Sequence, residues 1–100
     1  MPQQILSVAV WEPVPGMEDA SLATLRDLTA IVIAKGYGRD LLYRDRDAHY
    51  VFLRYWKSEQ ARQAALEDPA MQRCWARLGN EINIVKVYET LTEVPMDRRE

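Results

Sequence analysis

A single cysteine, Cys74, rules out an internal disulfide and any zinc site built on cysteines. Histidine is equally scarce, with His49 the only one. No apolar run approaches the ~20 residues that a membrane-spanning helix needs. The opening Met-Pro-Gln-Gln lacks the basic and apolar regions of a secretory signal. A formal net charge of -2 gives no electrostatic case for nucleic acid or an anionic membrane surface. Low-complexity segments are absent, and so are repeats beyond two strand-helix-strand halves. Together these absences lead us to expect a cytoplasmic protein with no metal, no nucleic-acid partner and no membrane partner.

What is there has the balance of a folded globular chain, 48% hydrophobic and 28% charged over 100 residues. That length makes one domain, expected over residues 1–94, followed by a charged tail over 95–100. So short a chain buries a modest core by itself, which favours sharing one with a partner. The most informative stretch runs from Tyr50 to Trp75. Its aromatic and β-branched opening, Tyr50 to Trp56, has strand composition. Ser58 then offers a helix cap with Glu59 at the positive helix end. Asp68-Pro69 supplies a second cap with Pro at the first helical position.

Around this stretch the other elements fall into place. Residues 5–11 form an apolar strand stopped by Pro13-Val14-Pro15-Gly16. A helix follows over 18–35, with Leu22, Leu25, Leu28 and Val32 on one stripe and Gly36 as its stop. Residues 37–44 and 50–56 make a hairpin about the loop 45–48. A helical region over 59–78, broken or bent at Asp68-Pro69, precedes a last strand over 82–91. The order β-α-β-β-α-β is the ferredoxin-like arrangement of the α+β class: a four-stranded antiparallel sheet with its helices on one face. Two helices cover one face, yet the first and third strands are apolar on both. Whichever parity faces the helices, either Leu6, Val8 and Val10 or Ile5, Ala9 and Trp11 remain uncovered. A bare apolar face exceeds what monomers tolerate, so a second copy packed sheet to sheet is expected.

Val8-Ala9-Val10-Trp11 with Pro15-Gly16, then Trp56-Lys57-Ser58-Glu59-Gln60-Ala61, then Asp68-Pro69 leading to Met71-Gln72 and Trp75, resemble the antibiotic biosynthesis monooxygenase (ABM) family. The resemblance spans roughly residues 5–94 and implies a dimeric α+β barrel. One branch of that family oxidises polycyclic aromatics with molecular oxygen and no cofactor, the substrate supplying the electrons. Another degrades haem with an Asn on the first strand and a Trp and a His on the second helical region. The corresponding places here hold Ala9, Ala65 and Trp75, and none matches. The resemblance therefore implies a small cofactor-independent oxidative enzyme acting on an aromatic or quinone-like molecule. The alternative is a non-catalytic dimeric module that binds a small apolar molecule or regulates an enzyme.

Three residues stand as catalytic candidates. His49 is the one side chain of the type that serves as a general base in neutral water, although it opens a strand beside a charged loop. Tyr88, like Tyr43, Tyr50 and Tyr55, carries a donor suited to a phenol or quinone oxygen. Arg54 is the odd charge in an apolar strand and needs a partner. If Leu42 pairs with Phe52, Asp40 faces Arg54 and the charges match; a shift of one residue brings Arg39 there and calls for an anion. The Asp40 register is preferred. The stripe Met71, Cys74, Trp75 and Leu78 packs on the sheet and is expected to wall a pocket. Ser7, Ala9 and Trp11 on the first strand would line the opposite side. Cys74 is expected to be an inert buried thiol.

Overall fold

The computed structural model describes residues 4–97. Strand β1 covers Ile5–Pro13. It runs past the expected stop because Glu12 and Pro13 still pair with Asn83 and Ile82 of the last strand. Helix α1, Glu18–Lys35, carries Glu18 and Asp19 in its first turn and ends on Gly36 at φ 69°. That left-handed residue lets the backbone N–H groups after the helix return to Ile33 and Val32, and glycine adopts it without a Cβ clash. Leu25, Leu28 and Val32 are buried beneath it, whereas Leu22 is only partly covered.

Strands β2, Gly38–Arg44, and β3, Tyr50–Trp56, form the expected hairpin. The register sets Asp40 opposite Arg54 and Leu42 opposite Phe52. Charge matching across the strands selects it over the neighbouring register, which would oppose two arginines. Gly38 starts β2 because a Cβ there would lie 2.3 Å from the Tyr55 carbonyl oxygen.

The second helical region is two helices, not one bent helix. Helix α2 covers Glu59–Leu66 and helix α3 covers Pro69–Leu78. Each has its own cap: the Ala61 N–H donates to Ser58 Oγ at 3.0 Å, and the Ala70 N–H donates to Asp68 Oδ1 at 2.9 Å. Asp68 also accepts from Lys35 Nζ and Tyr37 Oη, both at 2.6 Å, tying the end of α1 to the α2–α3 corner. Strand β4, Ile82–Thr92, completes the order β-α-β-β-α-α-β.

The four strands lie in the order β2-β3-β1-β4, every neighbouring pair antiparallel. Ile5, Ser7, Ala9 and Trp11 share the helix-covered face with Tyr50, Phe52, Arg54 and Trp56, since these residues pair directly and alternate with the rest. Leu6, Val8 and Val10 therefore point away, beside Val51, Leu53 and Tyr55. No helix covers that side. Tyr43 is 58% and Tyr88 is 43% exposed. Strand β4 shifts register between Leu6 and Val8 and again between Val10 and Trp11, so it bulges along the sheet edge. Beyond Ile82 it is exposed throughout. Among the described residues no helix is long and apolar enough to cross a membrane.

Candidate functional site

A cavity of about 460 Å³ lies between the sheet and the helices. Its floor is β1 and β3: Ser7, Ala9, Trp11, Phe52, Arg54 and Trp56, with Val8 bordering it although its side chain alternates to the other face. Leu25 and Leu28 of α1, Arg62 and Leu66 of α2, and Trp75 and Leu78 of α3 form its roof. On the open side stand Ile82, Ile84, Val87, Tyr88 and Glu89 of β4. The small side chains at Ser7 and Ala9 leave room here between the larger Trp11 and Trp56 of the same face.

The polar groups are few and fixed. Trp56 Nε1 donates to Ser7 Oγ at 2.7 Å, and Ser7 Oγ donates to the Glu89 carbonyl oxygen at 2.5 Å. This relay spans β3, β1 and β4 and pins the Trp56 indole against the floor. Arg54 is buried; its Nε and Nη2 donate to Asp40 Oδ1 and Oδ2 at 2.6 and 2.9 Å. The Thr29 hydroxyl on α1 donates to Asp40 Oδ2 at 2.7 Å. Phe52 and Trp56 each hold their ring 5.2 Å from Arg54 Cζ, a cation–π sandwich around the guanidinium. At the mouth, Arg62 binds Glu59 through Nε and Nη2 at 2.9 and 2.8 Å. That pairing holds the Glu59 carboxyl down to about 2.

The expected site residues separate. Ser7, Ala9, Trp11, Trp75 and Arg54 all line the cavity; Tyr88 borders it from β4, but it pairs with Val8, so its side chain turns to the uncovered face and its hydroxyl is not a donor to the cavity. Met71 and Cys74 do not: they are buried in the core shared by α3 and α1, on the part of the stripe turned from the cavity. A helical stripe is wider than one wall, so Trp75 reaches the space while its neighbours fill the interior. Burial pushes the Cys74 thiol up, away from the thiolate a nucleophile needs. His49 is also absent from the lining; it sits on the β2–β3 hairpin with Nε2 3.4 Å from Glu12 and Nδ1 3.5 Å from Asp45. Phe52, Trp56, Arg62 and Leu66 were not foreseen as lining residues. Trp56 and Phe52 share strand parity with Arg54, and that was the available signal.

Among the described residues, Asp45, Asp47 and His49 on the hairpin offer ligand atoms within 4.8 Å of one another, a grouping that could hold a divalent cation. Inside the cavity, the described lining holds no His, Cys or Met, the usual haem ligands beside Tyr.

A four-stranded antiparallel sheet roofed on one face, with an aromatic-walled cavity beneath the helices, defines a ferredoxin-like α+β fold. The sequence matches the model of the antibiotic biosynthesis monooxygenase family over residues 4–77, and the chain belongs to that family. Comparison with curated proteins finds no match. Among solved structures, Rv0793 from Mycobacterium tuberculosis superimposes with a TM-score of 0.73 at 19% identity, over 97% of this chain and 99% of that one. SO0527 from Shewanella oneidensis gives 0.73 at 22% identity, over 91% of each chain. A variant of SnoaB, a cofactor-independent oxygenase from Streptomyces nogalater, gives 0.76 at 18% identity, over 94% of each chain. At such identities these likenesses show the shared fold.

Proposed function

We propose that the protein is a cofactor-independent monooxygenase acting on an aromatic or quinone-like molecule held in the cavity. The observation that carries this reading is the cavity itself: an apolar space walled by Trp11, Phe52, Trp56 and Trp75, with one buried guanidinium at its floor. Family membership supplies the reaction class. In such a reaction an acidic ring CH₂ gives up a proton, and the resulting carbanion passes its electrons to dioxygen. A C–O bond forms, the O–O bond breaks, and CH₂ plus O₂ becomes C=O plus water. The substrate is the reductant and dioxygen the oxidant. The protein's part is to exclude water, stack the ring and offer an N–H donor from Arg54 to the oxygen that gathers charge.

We further propose that it works as a homodimer. Tyr43, Tyr88 and Leu91 are exposed on the side away from the helices, beside the partly covered Val8 and Val10. Covering even ~600 Å² of apolar area per subunit there is worth roughly 15 kcal/mol at about 25 cal/mol per Å², before association costs.

Oxygen consumption with naphthols, anthrones and hydroquinones tests the enzymatic reading. Turnover with any of them supports it. Binding without turnover across the panel would favour the non-catalytic binding module, which the lack of a histidine on the described walls also favours.

A further inference from the structure

The Asp40–Arg54 pair spans the partition between two spaces. Arg54 lines the main cavity, while Asp40 lines a separate groove between α1 and β2. Nε and Nη2 of Arg54 are committed to Asp40, and Nη1 makes no hydrogen bond to any described residue. The one sealed side-chain polar atom without a partner among the described residues is Glu81 Oε1. Nη1 is thus not sealed, and the cavity is the space that Arg54 lines.

We infer that Arg54 Nη1 anchors an uncharged carbonyl oxygen on an aromatic ligand, with Asp40 and Thr29 as positioning residues that hold the guanidinium for it. The inference rests on the ligand cavity of the proposed function and names what that cavity selects. Charge decides the ligand class. Asp40 already neutralises Arg54, and Arg62, the other lining cation, is spent on Glu59 and also feels Glu89. A ligand carboxylate would bring a charge with no free partner into an apolar space. A neutral C=O asks only for the free N–H, and a donor on a charged group makes the stronger hydrogen bond. Asp40 occupies the other edge of the guanidinium, which prevents it from turning. Thr29 fixes the carboxylate in turn, so α1 sets the aim of a group on β3.

Equilibrium dialysis under nitrogen with fluorene, 9-fluorenone and fluorene-9-carboxylate tests this without turnover. The ring system stays constant and only the oxygen function changes. Wild type should bind fluorenone about tenfold or more tighter than fluorene, and the carboxylate more weakly than fluorenone. Removing both charges together, as Arg54→Met with Asp40→Leu, should bring fluorenone and fluorene to equal affinity in a protein whose circular dichroism is unchanged. Thr29→Val should narrow the fluorenone preference severalfold while leaving fluorene within twofold, a split that general loosening of the fold would not produce. Equal binding of fluorene and fluorenone by wild type would overturn the inference. So would tightest binding of the carboxylate, or an undiminished preference in the double variant. Failure of all three probes to bind would remove the cavity reading as well. A carbonyl preference without oxygen consumption would leave this inference standing and defeat the oxygenase.

Discussion

Breaking the Asp40–Arg54 pair from one side should be far more damaging than removing it whole. The two side chains are 2% and 5% exposed, so either one left alone is a charge held out of water. Arg54→Met strands the carboxylate with Thr29 as its one side-chain donor, and Asp40→Leu strands the guanidinium between Phe52 and Trp56. Losing one partner of a buried pair costs about 3–5 kcal/mol, a large part of the ~5–15 kcal/mol that holds a domain together. For a chain near 100 residues each kcal/mol moves Tm by ~4–8 °C, so either single variant should melt on the order of 12–40 °C lower. The double variant replaces both charges by apolar side chains of similar reach and should lie within ~1–2 kcal/mol of wild type. Urea unfolding followed by tryptophan fluorescence, at pH 7 and one fixed protein concentration, measures all four corners of the cycle. The reasoning fails if either single variant loses less than ~1 kcal/mol, or if the two single losses simply add in the double.

Val10→Lys places a cation on the uncovered sheet face, directly across from Lys86, and should yield a monomer or an unfolded chain by sedimentation. Wild type sedimenting as a folded monomer at micromolar concentration would refute the homodimer. Lys35, followed by Tyr37, holds the Asp68 carboxyl well below the usual carboxylate range. Its contribution to stability is present above about pH 4, where the unfolded carboxyl is also ionised, and fades as pH falls below that. Asp68→Asn should therefore flatten the acid limb of a Tm-against-pH curve; an unchanged limb would count against the cluster. Gly38→Ala drives a Cβ toward the Tyr55 carbonyl oxygen, a backbone atom that cannot swing aside, and should cost about 1–3 kcal/mol by chemical denaturation.

The element order was legible in the sequence because its signals are local. Turn chemistry at Pro15-Gly16, caps at Ser58 and Asp68 and the stop at Gly36 act within a few residues of chain. Even the hairpin register could be read, since opposing Arg39 to Arg54 is repulsive whereas Asp40 matches it. Only the tertiary structure decided which parity of β1 and β3 lies beneath the helices, for strands apolar on both faces carry no sign of direction. That choice put Trp56 and Phe52 into the cavity wall and turned the Val8 and Val10 side chains to the other face. It also separated Trp75 from Met71 and Cys74. The periodicity of α3 marks all three as one stripe, but where the cavity ends and the packed interior begins depends on how α3 meets α1 and the sheet. The role of Arg54 divides the same way. Its need for a partner is a matter of burial and charge, already present in the chain, while the free edge of its guanidinium exists only where β2, β3 and α1 meet.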